Sequence, residues 1–188
     1  MDRRTMLRGT LAVAAGYVLA RPWRASAGGN VGSTAGQTGT SAEKVGKVEP
    51  MEKLEKPRDE WKRILSSEQY QVLFEEATER AFTSPLNEEK RAGTFVCAAC
   101  FLPLFSSRAK FDSGTGWPSF TEPLPGRVDT KLDFKLVLPR TEYHCSRCGG
   151  HQGHVFKDGP RPTGQRWCNN GVALTFVVDG QPLPALRS

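Results

Sequence analysis

The chain has 188 residues, 38% of them hydrophobic, which is enough for one folded domain with one real core. Its formal charge of +6 is concentrated at one end: residues 1–27 hold five arginines and one aspartate, so about +2 is left for the rest. That remainder lacks the dense Lys/Arg face that nucleic-acid binding demands, and no nucleic-acid partner is expected.

In chain order, Arg3 and Arg4 open the run DRRTMLRG, an apolar stretch follows from Leu11 to Ala20, and Ala25-Ser26-Ala27 offers a small-residue cleavage site. This layout predicts a secretory signal over residues 1–27. The paired arginines point to the twin-arginine route and a periplasmic or exported protein. The apolar stretch is short and is soon interrupted by Arg21, so no stable membrane span is expected; an uncleaved apolar anchor is the alternative. Residues 28–49 turn to Gly, Ser, Thr, Ala and Val, a composition that buries too little apolar surface to order itself and reads as a flexible linker. The folded domain is expected over residues 50–179, with residues 180–188 as a tail.

Asp59–Leu65 reads as a short amphipathic helix. A second helix starts after Ser66, where Gln69 three residues on completes a capping box ahead of Tyr70, Val72, Leu73 and Phe74; it is expected to end near Phe82. Beyond Arg91 the pattern becomes strand-like. Leu132, Phe134, Leu136 and Leu138 alternate with polar neighbours as in a half-buried strand. Thr94–Val96, Glu142–His144, His154–Phe156 and Val172–Val178 are further short strands, separated by Gly- and Pro-rich turns. The expected fold class is mainly β (α+β): two short N-terminal helices on an antiparallel core.

The five cysteines divide four to one. Cys97 and Cys100 form one C-x-x-C pair and Cys145 and Cys148 another, whereas Cys168 has no sequence partner. Two such knuckles can aim four thiolates at one tetrahedral metal, and a closed set of four points to a single structural zinc ion. A disulfide framework is the competing reading for an exported chain. Cys168 is either a core residue or a reactive thiol; reactivity needs nearby positive charge and hydrogen-bond donors, for which Arg166 and Asn170 are the candidates. Two of the three histidines, His151 and His154, follow the second knuckle closely. Histidine is the natural proton carrier near neutral pH, but a spacing of three around Gly153 does not show that both rings face one way. Trp117 sits in FDSGTGWPSF, where two glycines and a proline suggest a rigid loop presenting the indole as a pocket wall, with a core plug as the alternative.

Together FDSGTGWPSF, RCGGHQGHVFKDGPRPTGQRWCNN and the two knuckles resemble the B-type methionine sulfoxide reductases. The resemblance runs from about Asp59 to Val178 and includes EWKRILSSEQYQVL and the ATER segment. It implies a core of two antiparallel β-sheets, with the structural zinc opposite the active site. It also implies activity on the R epimer of methionine sulfoxide in proteins and peptides. Carried over by position, it makes Cys168 the nucleophile, His151 and His154 the residues that hold water and protonate the sulfoxide oxygen, and Asn170 an active-site polar group. Arg166 would support the thiolate, and Trp117 would pack on the substrate methyl group. The chain departs from the family pattern at Asn169 (usually apolar), Gly171 (often Ser), Gln152 (usually Leu) and Ala81 (usually Pro).

In the mechanism this implies, the Cys168 thiolate attacks the sulfoxide sulfur while His154, or failing that His151, protonates the oxygen, leaving a sulfenic acid. Where some family members carry a resolving cysteine, this chain has Thr115. With four cysteines held by metal, none remains to resolve the intermediate, so an external thiol from a thioredoxin-like partner is expected. A monomer without organic cofactor is expected. The rival function is a non-catalytic zinc-ribbon module that binds a protein, which accounts for the knuckles but not for Cys168, the His pair and the Trp loop; a secreted disulfide-stapled structural protein is a third reading.

Overall fold

A computed structural model describes residues 51–134 and 139–188. The signal and linker expectations, and Leu136 and Leu138, lie outside the described residues. Two short helices come first: α1 (Arg58–Ile64) and α2 (Ser67–Glu75). The Ser66–Gln69 capping box is present in full. Helix α2 ends earlier than its apolar pattern suggests, because Glu76 turns left-handed at φ 54° and donates its N–H to the Gln71 carbonyl. The chain then leaves the helix, and this exit carries Glu79 into the interior.

Among the described residues nine strands follow: β1 (Gly93–Cys97), β2 (Pro103–Ser106), β3 (Lys110–Phe111), β4 (Ser119–Phe120), β5 (Val128–Asp133), β6 (Arg140–Cys145), β7 (His151–Phe156), β8 (Arg166–Asn169) and β9 (Leu174–Val178). They form two antiparallel sheets, one of three strands in the order β2-β1-β9 and one of six in the order β3-β4-β8-β7-β6-β5. The mainly β, two-sheet class is as expected. Val172 itself falls in a single 3-10 turn (Gly171–Ala173) ahead of β9.

Aromatic rings fill the core. Phe120 stacks on Phe105 at 4.2 Å and meets Phe95 edge-on at 5.0 Å, while Tyr143 meets Trp167 edge-on at 5.0 Å. The first two pairs join β1 and β2 of the small sheet to β4 of the large one, and the third links β6 and β8 within the large sheet. Burying such rings is worth more than area alone, by about 0.5–1.5 kcal/mol per pair.

The Leu132/Phe134 alternation has the expected period but the opposite phase. Leu132 is 63% exposed and Phe134 70%, whereas Asp133 between them is 6% exposed. β5 is an edge strand, and its inward position is taken by a carboxylate that bonds Arg140 and His154, so polar pairing overrides the apolar pattern there. Residues 180–188 form no regular element, yet they are tied down: the Arg187 N–H donates to the Cys100 carbonyl at 3.1 Å, and Arg147 Nη1 donates to the Arg187 carbonyl at 2.7 Å. Among the described residues no helix is long and apolar enough to cross a membrane.

Candidate active site and metal centre

Strand β8 carries Cys168 in the middle of the large sheet. Its register places Cys168 opposite His154 on β7 and opposite Ser119 on β4. Directly paired residues share a face, so imidazole and thiol look into the same space. Thr78, Trp117, Arg140, Gly153, His154, Phe156, Cys168, Asn169 and Asn170 line a pocket of about 120 Å³ there. That volume suits one side chain and is below the ~300–1,000 Å³ usual for drug-sized ligands.

The question of the histidine pair is settled by one extra residue. Tyr143 and His144 on β6 pair with Gly153 and His151 on β7, leaving Gln152 as a bulge. The bulge resets the alternation and turns His151 to the face of His154. Their rings meet edge-on with centroids 5.4 Å apart. His151 donates from Nδ1 to Glu142 Oε1 at 2.9 Å, and its Nε2 is buried with no hydrogen-bond partner among the described residues. His154 is held through Nε2 by Asp133 Oδ2 at 2.9 Å, and Arg140 Nη2 donates to the same oxygen at 2.6 Å. Burial lowers both imidazole pKa values, and the carboxylates of Glu142 and Asp133 only partly oppose it. Of the two, His154 lines the pocket and His151 stands behind it.

Burial also raises the Cys168 thiol, while the charge of Arg166 and the Thr115 hydroxyl pull the other way. Arg166 is fixed by two bonds to Asp158, each 2.9 Å, and lies over the Phe156 ring at 4.3 Å. Thr115 ends a chain of hydroxyls: its Oγ1 is 2.8 Å from Ser113 Oγ, which is 2.9 Å from Ser119 Oγ. Asn170 reaches the pocket, but its amide also works as a brace, donating Nδ2 to the Gln152 carbonyl and accepting from the Glu79 N–H. Thr115 rather than Asn170 thus joins Arg166 in opposing the effect of burial on the thiol.

Glu79 went unnoticed as a site residue. Its carboxylate accepts from the N–H groups of Gly171 at 2.5 Å and Val172 at 2.9 Å, and its carbonyl accepts from Trp117 Nε1 at 3.2 Å. One buried residue therefore holds the Trp117 wall, Asn170 and the turn after β8. Asp133 and Arg140 were missed as well, because nothing in local sequence marks a carboxylate that pairs across two strands.

The four remaining cysteines converge. Cys97 closes β1, Cys145 closes β6, and the tight turns after them present Cys100 and Cys148. Their sulfurs lie within 4.8 Å of one another, with Cys97–Cys148 at 3.7 Å and Cys100–Cys145 at 3.5 Å. A tetrahedron with ~2.3 Å metal–sulfur bonds has edges of about 3.8 Å, so the set fits one metal ion. All five cysteines are free thiols, and the disulfide framework is not formed. Because β1 and β6 belong to different sheets, a metal here would staple the sheets together.

The SelR domain profile matches residues 65–178. The chain is 52% identical over 127 residues to "Peptide methionine sulfoxide reductase MsrB" of Methanosarcina barkeri, covering 67% of this chain and 89% of that one. It is 51% identical over 124 residues to the MsrB of Leptospira interrogans (65% of this chain, 95% of the other). The MsrB of Pseudomonas putida matches at 51% over 128 residues (67% and 96%). The chain belongs to the B-type methionine sulfoxide reductases. Among its departures from that family's pattern, Gly171 has a steric reason: a Cβ there would lie 1.9 Å from Ser84 Oγ, which fills the space. Asn169 and Gln152 are fully buried partners of each other, with Asn169 Nδ2 donating to Gln152 Oε1 at 3.4 Å.

Gly153 sets the spacing between the two halves of this reductase site. A Cβ at that position would sit 1.9 Å from the Cys168 carbonyl oxygen, a backbone atom that cannot swing aside. Gly153→Ala is expected to force β7 away from β8 and cut kcat/KM by about 10²-fold, the usual cost of a misplacement near 1 Å. Steady-state turnover beside a far-UV spectrum of the variant checks this; a fully active Gly153→Ala would mean that the approach of the strands is immaterial.

Proposed function

We propose that this protein reduces the R epimer of methionine sulfoxide in oxidised proteins and peptides, with Cys168 as nucleophile and His154 as proton carrier. The observation that carries the reading is the direct register of Cys168 with His154 inside one pocket walled by Trp117.

The reaction follows from the resting charges. The thiol is pushed up and the imidazole down, so both groups rest neutral near pH 7. The thiol proton passes to His154 as the sulfur attacks the sulfoxide sulfur, and the imidazolium, steadied by Asp133, hands it to the sulfoxide oxygen. Arg166 and Thr115 stabilise the negative charge that develops on Cys168. The attack forms an S–S bond. The hydroxyl then passes from the substrate sulfur to the Cys168 sulfur as the S–O and S–S bonds break, so methionine leaves with a reduced sulfur and Cys168 holds the oxygen as a sulfenic acid. Two electrons move from Cys168 to the substrate and no proton is drawn from solvent. Two external thiols, supplied by a thioredoxin-like partner, return Cys168 to the thiol with release of water and a disulfide. Trp117 would face the substrate methyl group, which lets the pocket distinguish the epimers.

The cysteine cluster would hold zinc as a structural ion, since four thiolates leave no open position for chemistry. The N-terminal arginine pair and apolar run support export by the twin-arginine route to the periplasm. The deciding experiment supplies separate R- and S-sulfoxide peptides with a dithiol reductant, and traps the single-turnover product with dimedone. Turnover of the R epimer alone and a Cys168 adduct are expected. Equal turnover of both epimers, or a disulfide between Cys168 and a knuckle cysteine, would defeat the proposal.

A further inference from the structure

Gln152 and Asn169 are two of the departures from the family pattern, and they touch. Together with Tyr143 they form a continuous buried chain, each at most 1% exposed. Gln152 Nε2 donates to Cys97 Sγ at 3.5 Å. Its Oε1 accepts from Asn169 Nδ2 at 3.4 Å, and Asn169 Oδ1 accepts from the Tyr143 hydroxyl at 2.7 Å. Asn169 Nδ2 also donates to the Asn170 carbonyl at 2.8 Å, and the Gln152 carbonyl accepts from both nitrogens of Asn170, at 2.8 Å and 3.0 Å. The direction of the chain is dictated at one end. A metal-bound thiolate can only accept, so it fixes which end of the Gln152 amide faces it; the oxygen must then face Asn169. At the other end, the Tyr143 hydroxyl donates to Asn169 Oδ1.

We propose that Gln152 is an outer-shell partner of the metal centre and, through Asn169, a positioning residue that couples metal binding to the strand carrying Cys168. The bulge in β7 makes this possible: it turns Gln152 towards Cys97 and His151 towards His154 in the same step. An apolar side chain at either position could not make such a link. The proposal rests on zinc binding by the four cysteines. A wild-type protein that binds no stoichiometric zinc would overturn that reading itself, and is distinguishable from every outcome below.

The test compares the wild-type protein with Gln152→Leu, Asn169→Val and the double variant. Zinc affinity is measured by competition with a colorimetric chelator, and Cys168 accessibility by its iodoacetamide alkylation rate at saturating zinc. Gln152→Leu is expected to weaken zinc by about 10–100-fold, the usual cost of losing an outer-shell partner. Asn169→Val, which touches no metal ligand, is expected to weaken it several-fold by freeing the Gln152 amide. The double variant should be no weaker than Gln152→Leu alone, the non-additivity of a shared chain. Alkylation of Cys168 should quicken by about threefold or more in both single variants as β8 loosens. Zinc affinity within about twofold of wild type in Gln152→Leu would overturn the outer-shell role. Multiplying losses in the double variant, or unchanged alkylation rates, would overturn the coupling.

Discussion

Cys168→Ser is expected to abolish turnover, lowering kcat by at least about 10³-fold while leaving the fold intact. The argument starts from the resting thiol. Burial already disfavours its charged form, and only Arg166 and Thr115 offset that. A serine hydroxyl in the same place starts several pKa units higher, beyond the reach of one guanidinium and one hydroxyl, and His154 is itself held neutral by burial. Serine also lacks an accessible higher oxidation state, so even an attack would give no product that a thiol could reduce. Structurally the exchange is mild. Cys168 is only partly buried, and serine is close to it in size and shape. The melting temperature should therefore stay within about 3 °C of wild type, a stability change under ~1 kcal/mol. Steady-state assays with an R-sulfoxide peptide beside a thermal melt make the comparison. Stereospecific turnover that survives Cys168→Ser would remove Cys168 from the chemistry.

The contrast between what the sequence revealed and what it hid follows the range of the interactions. The knuckles, the Ser66–Gln69 capping box and Cys168 are local signals: a few adjacent residues carry the whole physical reason, and the structure places the knuckles and the capping box as read. The early end of α2 could not be read, because Glu76 adopts a left-handed conformation that its own residue type does not favour; the exit serves Glu79, whose partners lie 38 to 93 residues away. The phase of β5 was hidden for the same reason, since Asp133 points inward to reach His154 21 residues on. The facing of the His pair depended on the unpaired Gln152, and a bulge leaves no mark in a count of alternating residues.

Removing the metal is expected to unfold the domain at room temperature. The cysteine cluster ties the ends of the two sheets: Cys97 ends β1 of the small sheet, Cys145 ends β6 of the large one, and the Arg187 tail bonds back to the Cys100 carbonyl. A closed four-thiolate zinc site contributes about 10–16 kcal/mol of folding free energy. A domain of this size holds a net ~5–15 kcal/mol, so loss of the ion consumes the whole margin. Without it, three buried sulfurs and one half-buried one crowd within 4.8 Å, with thiols that cannot satisfy one another as thiolates on a shared cation do. Cys145→Ser should behave like the stripped protein, because three thiolates and a hydroxyl leave the ion weakly held. Far-UV spectra and melts with and without EDTA, then with zinc returned, measure the effect. The expected sequence is loss of β signal on chelation and recovery with zinc but not with magnesium, which prefers oxygen ligands. A stripped protein that melts within about 2 °C of the loaded one would show that hydrophobic packing of Phe95, Phe105 and Phe120 alone joins the sheets, and that the cysteines are a dispensable clamp.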